Sequence, residues 1–210
     1  KITMKKYIIL IPIYNDKESL VKLIENINLE VKDLNSEISI IIVNDASSQQ
    51  VIDNYQNIES IHSIKVINMK ENRGHARCIA SGLKYIFEKK EFDYVIPMDG
   101  DGEDRPEEIK NLIQLAEQSD TKSIVAERVK RSETIFFKLC YQAHKIITLT
   151  FTGQSIKFGN FTCLSKITVE KMINEKATWN SFSGSLKKVE KDLLSIPSIR
   201  GTRYFGPSKM

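Results

Sequence analysis

The sequence predicts an α/β domain with a mostly parallel, mixed central sheet flanked by helices. Four short apolar runs rich in β-branched residues alternate with segments of helical spacing, a pattern typical of a parallel sheet. A polar turn follows each run, and ligands of such sheets bind beyond the carboxyl ends of the strands. At 210 residues, the chain is long enough for one domain with a sizeable core.

The predicted elements can be placed in order along the chain. Strands are predicted at residues 7–13, 38–43, 64–68, 94–98 and 123–126, and helices at residues 19–31, 49–57, 75–89 and 107–118. One or two short strands are expected within residues 154–165, and helices at residues 136–151 and 166–176. The 136–151 segment is interpreted as a core helix, with an amphipathic helix on a bilayer surface as the alternative.

Composition excludes several classes of protein. Three dispersed cysteines and three dispersed histidines indicate reduced thiols in the cytoplasm, and neither a disulfide framework nor a zinc site. A net charge of +4 without a platform of aromatic and basic residues does not indicate a nucleic-acid partner. The sequence contains no signal peptide and no run of eighteen apolar residues, so no membrane span is predicted within it.

Two carboxylates follow the strand predicted at residues 94–98. Asp99 and Asp101 are each followed by a glycine, which allows a tight turn next to a ligand. Such a pair can converge on Mg²⁺ or Mn²⁺ when substrate phosphates supply further oxygens. The alternative is an acidic turn whose residues serve turn formation alone. Asp101 is expected to be solvated and to lie outside the core.

The start of the helix at 107–118 explains the neighbouring acidic residues. Asp104 is predicted to be its N-cap, and Glu107 and Glu108 suit the positive end of its dipole. Helix initiation alone therefore accounts for Glu107 and Glu108, whereas Asp99 and Asp101 need a different explanation.

Polar residues also follow the first two predicted strands. Pro12, Tyr14 and Asp16 come at the end of the first strand, and Asp45 follows the second. Because the carboxyl ends of parallel strands meet at one edge of a sheet, these residues are expected to converge with the Asp99 turn. Convergence of three strand ends is much less expected by chance than any one motif, so a ligand site is predicted there.

Taken together, these segments resemble family 2 glycosyltransferases, most closely the polyprenyl-phosphate (dolichol-phosphate mannose synthase-like) sugar transferases. The resemblance rests on residues 11–15 (Ile-Pro-Ile-Tyr-Asn), 43–47 (Val-Asn-Asp-Ala-Ser), 71–74 (Glu-Asn-Arg-Gly) with Gly82, 99–101 with 105–107, and 203–209. It covers nearly the whole chain and implies a nucleotide-sugar-binding (GT-A, Rossmann-like) fold. The implied domain is a single catalytic unit over 1–210, with a nucleotide-sugar half at about 1–120 and an acceptor half at about 121–210.

The resemblance also implies a nucleotide-diphospho-sugar donor, Mg²⁺ or Mn²⁺, and inversion at the anomeric carbon. The donor would contact residues at the strand ends and before the third helix, namely Pro12, Tyr14, Asp16, Val43, Asp45, Asn72, Gly74, Asp99 and Gly100. Asp99 and Asp101 would hold the metal, and Asp45 would face the nucleotide base. Arg128 and Arg131 would form a basic loop near the diphosphate. Arg203 and Lys209 would form a closing basic pair in a C-terminal segment folded over the site.

The acceptor class is inferred from the absence of an evident catalytic base. A hydroxyl nucleophile needs a positioned base, and no such carboxylate is evident late in the chain. A phosphate monoester, with a second pKa of about 6, is already largely ionised at neutral pH. The expected acceptor is therefore a polyprenyl (undecaprenyl or dolichyl) phosphate, reached by peripheral association with the cytoplasmic face of the membrane.

The chain departs from these relatives at two places. Residues 159–162 read Gly-Asn-Phe-Thr where lipid-phosphate relatives often have Gly-Asp-Phe-Arg, and Asn44 replaces the first acid of an Asp-Asp pair. Relatives often continue into membrane helices beyond the 203–209 segment.

Other classes of protein remain as alternatives. A transferase of the same fold acting on a glycan hydroxyl would need a base such as Glu127 or Asp192. A sugar-phosphate nucleotidyltransferase would carry a glycine-rich loop where Pro12 to Asn15 stand. A non-catalytic nucleotide-binding domain would not require both Asp99 and Asp101. A phosphate-accepting response regulator would be shorter.

Overall fold

The computed structural model describes residues 4–52, 55–119, 121–129 and 157–207. The strands in this part of the chain are β1 (Lys6–Ile13), β2 (Glu37–Asn44), β3 (Ser63–Asn68), β4 (Tyr94–Pro97), β5 (Ile124–Arg128), β6 (Phe158–Ser165) and β7 (Leu194–Ser198). The helices are α1 (Lys17–Val31), α2 (His75–Lys89), α3 (Ile109–Gln118), α4 (Lys166–Asn174) and α5 (Phe182–Val189). Short 3₁₀ turns occur at Pro106–Glu108 and Lys176–Trp179.

The strands form one mixed sheet in the order β3-β2-β1-β4-β6-β5-β7. All neighbouring strands are parallel except β6, which runs antiparallel to β4 and β5. Because β6 is reversed, its first residues lie at the edge where β1, β2 and β4 end. The predicted mostly parallel sheet is confirmed, and this edge receives loops from both halves of the chain.

Helices cover both faces of the sheet. Helices α1 and α3 pack on one face with Ile9 and Ile11, and α2, α4 and α5 pack on the other face with Ile8 and Leu10. Strand β1 is therefore apolar on both faces because both are covered. A Cβ added to Gly82 of α2 would lie 2.4 Å from Leu10 Cδ1, so a larger residue there would have to displace the Leu10 side chain of β1.

The prediction of a helix at 49–57 is wrong. The described residues of that stretch, 49–52 and 55–57, form no helix. Asn57 has a left-handed φ of 57°, and its carbonyl accepts a hydrogen bond from Asn28 Nδ2. Val51 and Tyr55 pack against the core as parts of an irregular crossover. Contact with the core, and not helical geometry, explains the spacing of these apolar residues.

The predicted cap of the next helix is also wrong. Asp104 is buried, and its Oδ2 accepts a hydrogen bond from the backbone N–H of Asp99 at 2.8 Å. The turn Pro106–Glu108 begins after Arg105 instead, and α3 follows it. Asp104 therefore fixes the Asp99 turn, because a fully enclosed carboxylate needs a donor of its own.

The remaining predicted elements that lie in the described residues are confirmed to within a few residues. Where one or two strands were predicted within 154–165, the described residues 157–165 contain the strand β6. The helix predicted at 136–151 lies outside the described residues. Every helix in the described part of the chain is too short or too polar to cross a bilayer.

Candidate active site

A cavity of about 320 Å³ opens at the edge of the sheet where β1 and β4 end. Seven of the residues predicted from sequence line it, namely Pro12, Tyr14, Asp16, Asp99, Gly100, Asp101 and Arg203. Five further residues complete the lining, namely Ile13, His75, Glu103, Asn160 and Arg200. The predicted convergence of strand ends is therefore present for the first and fourth strands.

The loop after β1 is tied to the loop after β2. The backbone N–H of Asn15 donates to Ser47 Oγ at 2.9 Å, and Asn15 Oδ1 accepts from the backbone N–H of Ser48 at 2.8 Å. Asn15 adopts a left-handed φ of 50°, which asparagine tolerates better than most residues. These bonds fix the loop that carries Tyr14 and Asp16 into the cavity.

Asp45 holds the turn before α2. Its side chain is fully buried, and its two carboxylate oxygens accept from the backbone N–H groups of Arg73 at 2.7 Å and Gly74 at 2.8 Å. Gly74 has a φ of 85°, a conformation that favours glycine. Asp45 does not line the cavity, and the predicted contact with a nucleotide base stays a prediction.

Four other predicted donor or phosphate contacts also lie outside the cavity lining, and Gly74 is one of them. Val43 packs in the hydrophobic core on the α2 face, and Asn72 is exposed. Arg128 is exposed at the end of β5, where its guanidinium lies 2.9 Å from the position of a Cβ on Gly159. Arg131 and Lys209 lie outside the described residues.

The Asp99 turn is held by contacts on several sides. Asp99 Oδ1 lies 3.2 Å from His75 Nε2, and Asn160 Nδ2 donates to the same oxygen at 3.3 Å. Asp101 Oδ1 accepts from the backbone N–H of Glu103 at 2.9 Å. The expectation that Asp101 is solvated is wrong, because its side chain is only 16% exposed and forms an ion pair with Arg203.

Charges in this turn shift one another's protonation. Burial alone would raise the pKa of Asp99, but the hydrogen bond and positive charge of His75 hold that pKa below its usual range. Burial also opposes a charge on His75, yet the hydrogen bond to Asp99 and the nearby carboxylates raise the pKa of His75. Burial and the charge of Asp99 raise the pKa of Asp104. These shifts arise because carboxyl groups lie close together and out of water, an arrangement in which a nearby cation favours their ionised forms.

The C-terminal segment after β7 lies against the Asp99 turn, as predicted. The backbone N–H of Tyr204 donates to the carbonyl of Asp101 at 2.9 Å, and that of Gly201 donates to the carbonyl of Glu103 at 2.8 Å. The Tyr204 hydroxyl accepts from Asn26 Nδ2 at 2.9 Å. A Cβ on Gly102 would lie 2.5 Å from the Tyr204 ring, so this contact requires glycine.

Arg203 joins two of the strand ends. Its Nη2 donates to Asp16 Oδ2 and its Nη1 to Asp101 Oδ2, each at 2.6 Å. Arg203 is 18% exposed and its two partners are 9% and 16% exposed, so the three charges lie mostly out of water. The guanidinium thus pairs with carboxylates in the loops that follow β1 and β4.

Glu108 has a role that helix initiation does not explain. Its carboxylate accepts from Ser198 Oγ at 2.6 Å and from the backbone N–H of Ile199 at 3.0 Å. These bonds fix the end of β7, immediately before the segment that carries Arg200 and Arg203. The interpretation of Glu108 as a residue of helix initiation alone is therefore wrong.

Glu108→Ala is expected to destabilise the fold by about 1–3 kcal/mol, because it leaves the buried hydroxyl of Ser198 and the backbone N–H of Ile199 without their acceptor. Glu107→Ala is the matched control, since Glu107 is exposed and its ion-pair partner among the described residues is Arg105, at 3.6 Å. That control is expected to change stability by less than about 0.5 kcal/mol. Urea unfolding measures both, and equal stability of the two variants would contradict this role of Glu108.

Sequence reasoning missed His75, Asn160, Glu103 and Arg200 as cavity residues. Arg200 and Glu103 form an ion pair with each other, and His75 is the first residue of α2. The one sequence feature that could have indicated His75 as a cavity residue was its position next to Gly74. Asn160 was noticed only as a departure from a motif, because its neighbour His75 is 85 residues away in sequence.

The residues present fit a divalent cation that is completed by substrate. No cluster of three or more His, Cys, Asp or Glu side chains arranged to hold a metal occurs within the described ranges. Asp99 and Asp101 nevertheless line one cavity, and Mg²⁺ often uses one or two carboxylates together with substrate phosphates and waters.

Comparison with known sequences assigns most of the chain to one family. The family model described as Glycosyl transferase family 2 matches residues 8–182. An undecaprenyl-phosphate 4-deoxy-4-formamido-L-arabinose transferase of Yersinia enterocolitica is 32% identical over 165 residues, covering 77% of this chain and 48% of that protein. The protein of the same name from Photorhabdus laumondii is 29% identical, covering 98% of this chain and 63% of its own length. The chain spans about half to three-fifths of the curated relatives it matches.

Comparison with solved structures supports the fold. The structure of S. aureus TarS 1-349 in complex with UDP-GlcNAc has a TM-score of 0.60 at 13% identity, covering 94% of this chain and 59% of that one. The structure of TarS 1-349 described without a ligand gives a TM-score of 0.58 at 14% identity, covering 91% and 58%. At such low identity the likeness shows the fold alone, and it confirms the predicted GT-A fold.

Proposed function

The chain belongs to glycosyl transferase family 2, and we propose that it transfers a sugar from a nucleotide-diphospho-sugar to a polyprenyl phosphate. The observation that carries this proposal is that Asp99, Asp101 and Arg203 line the same cavity, where Arg203 pairs with Asp101. A diphosphate leaving group gains negative charge as the sugar departs, so both a metal ion and an arginine stabilise the transition state. The cavity holds residues suited to both.

The donor is proposed to lie along the ends of β1 and β4. Pro12 and Tyr14 would border the nucleotide, with Asp45, Asn72, Gly74 and Val43 supporting its binding from the neighbouring loops. The diphosphate would lie beside Gly100, which lines the cavity and packs closely on the end of β1, where an added Cβ would lie 3.1 Å from the carbonyl oxygen of Pro12. Arg203 would then bind phosphate oxygens through two parallel hydrogen bonds, as guanidinium groups commonly do.

We propose that Asp99 and Asp101 bind Mg²⁺ or Mn²⁺. When bound, the metal would neutralise charge on the diphosphate and assist its departure. The two carboxylates would hold and orient the ion, and Asp101 would have to release Arg203 for its Oδ2 to take part. Arg128, Arg131 and Lys209 are proposed to add positive charge near the phosphates.

The pairing of the cavity carboxylates favours an acceptor that is already ionised. Among the described lining residues, Asp16 and Asp101 pair with Arg203, Asp99 with His75, and Glu103 with Arg200. None of these four carboxylates is left unpaired to act as a base for a hydroxyl nucleophile. A phosphate monoester needs no such base, because most of it is a dianion at neutral pH.

The two bases considered for a hydroxyl acceptor are less suited to that role. Asp192 is exposed and pairs with Lys122 at 3.5 Å, and neither it nor Glu127 lines the cavity. The related proteins carry undecaprenyl-phosphate in their printed names, which supports the same acceptor class for this chain.

The proposed step balances without a proton transfer. A phosphate oxygen of the acceptor attacks the anomeric carbon from the face opposite the diphosphate. The bond between that carbon and the diphosphate oxygen breaks, and its electron pair leaves with the nucleoside diphosphate. The sugar is therefore inverted, and the products are a sugar-phospho-polyprenol and a nucleoside diphosphate.

A panel of UDP- and GDP-sugars tests the function with undecaprenyl phosphate as acceptor and undecaprenol as the matched hydroxyl control. Mass spectrometry of the lipid products is expected to show transfer to the phosphate and none to the alcohol, and EDTA is expected to stop it. Transfer to undecaprenol, or to glycan hydroxyls alone, would overturn the proposed acceptor. Sedimentation with vesicles containing undecaprenyl phosphate tests the proposed peripheral association with a membrane, and the proposed cytoplasmic face is tested separately by protease protection in cells.

A further inference from the structure

Two side chains from distant parts of the chain contact the same oxygen of Asp99. His75 Nε2 lies 3.2 Å from Asp99 Oδ1, and Asn160 Nδ2 lies 3.3 Å from it. The two side chains also contact each other, with 2.6 Å between Asn160 Nδ2 and His75 Nε2. His75 begins α2 and Asn160 lies on β6, so a helix and a strand from distant parts of the chain meet at one carboxylate oxygen.

These contacts leave the second oxygen of Asp99 available. Within the described residues, Asp99 Oδ2 makes no hydrogen bond, while the backbone N–H of Asp99 is held by Asp104 Oδ2 at 2.8 Å. Asp99 lines the cavity together with His75 and Asn160. The carboxylate is therefore fixed at its backbone and at one oxygen, with one oxygen left for a ligand.

Hydrogen bonds from buried residues also fix the backbone beside His75 and at Asn160. Asp45 Oδ2 accepts from the backbone N–H of Gly74, the residue immediately before His75. Thr162 is fully buried and its Oγ1 donates to the carbonyl of Asn160 at 3.2 Å. A chain of contacts thus runs from the end of β2 through Asp45, Gly74 and His75 to Asp99 at the end of β4.

We propose that His75 and Asn160 are positioning residues that hold Asp99 Oδ1 so that Oδ2 faces the cation of the bound donor. This inference rests on the proposed metal-assisted transfer. Groups that hydrogen-bond a metal ligand set its orientation, and replacing them commonly weakens metal binding by about 10- to 100-fold. The arrangement also gives buried Asp45 a function, because it fixes the turn from which His75 reaches Asp99.

The test measures Mn²⁺ binding to the full chain by electron paramagnetic resonance, with UDP or GDP present according to which one binds the wild type. His75→Leu and Asn160→Ala are each expected to weaken Mn²⁺ binding by about tenfold. His75→Gln is expected to retain most of the affinity, because an amide N–H can still donate to Asp99. His62→Leu is the matched control, since His62 is 63% exposed and its nearest acidic partner is Glu37.

Calorimetric melting of each variant separates positioning from folding. Binding is measured well below every melting temperature, so a lost fold cannot account for lost affinity. Wild-type Mn²⁺ affinity in both His75→Leu and Asn160→Ala, alongside a loss in Asp99→Asn, would overturn the positioning role but leave the metal site standing. Absence of Mn²⁺ binding to the wild type, or unchanged binding in Asp99→Asn, would overturn the metal proposal and this inference with it.

Discussion

Asp101→Asn is expected to lower sugar transfer by about a thousandfold, because it removes a charge from the proposed metal site at the leaving diphosphate. The amide oxygen of the variant can still accept from the backbone N–H of Glu103, as Asp101 Oδ1 does at 2.9 Å. Arg203 also keeps its partner Asp16. The fold is therefore expected to lose only about 1–2 kcal/mol, from one charged hydrogen bond.

The measurement combines a transfer assay with undecaprenyl phosphate and urea unfolding of the same samples. Asp93→Asn is the matched control, because Asp93 Oδ2 also accepts a backbone N–H, that of Lys6 at 2.7 Å, at the opposite end of the sheet. Transfer at the wild-type rate by Asp101→Asn, or no response of the wild type to EDTA, would contradict the assignment of Asp101 to the metal.

The sheet was predictable because local patterns determine it. Buried parallel strands need apolar residues on both faces, and runs such as that of β1 occur only where both faces are covered. Helix α2 was also predicted with its observed bounds, His75–Lys89. The prediction of a helix at 49–57 failed because the apolar residues of this stretch are spaced for contact with the core. Its described residues connect β2 to β3 without forming a helix. Spacing alone cannot distinguish the two cases.

The sequence predicted the site residues that directly follow a buried strand. It did not predict the contacts between residues that are distant in sequence. Asp99 and Asp101 stand out because a buried strand ends in them, and Arg203 entered through a resemblance. The contact of His75 with Asn160 depends on β6 running antiparallel beside β4, which no local pattern reveals. Glu108 was misjudged for the same reason, since its partners lie 90 and 91 residues further along the chain.

Arg203→Ala is expected to lower turnover by about a hundredfold, because the variant lacks the guanidinium that compensates two anionic groups in the transition state. Donor diphosphate and acceptor phosphate repel each other unless a cation lies between or beside them. Loss of the ion pairs to Asp16 and Asp101 is expected to destabilise the fold as well. That loss should be about 1–3 kcal/mol, because the three side chains are mostly shielded from water.

Arg203→Lys separates charge from geometry. An ammonium group carries the same charge, but it is compact and lacks the planar fork with which Arg203 reaches Asp16 and Asp101 at 2.6 Å each. Partial rescue of turnover, to about a tenth of the wild-type rate, is therefore expected from lysine.

Lys110→Ala serves as the control, since Lys110 pairs with Glu30 and lies outside the cavity lining. Steady-state kinetics and calorimetric melting measured together decide the matter. Full activity of Arg203→Lys would show that charge alone matters, whereas equal activity of Arg203→Ala and wild type would remove Arg203 from the site.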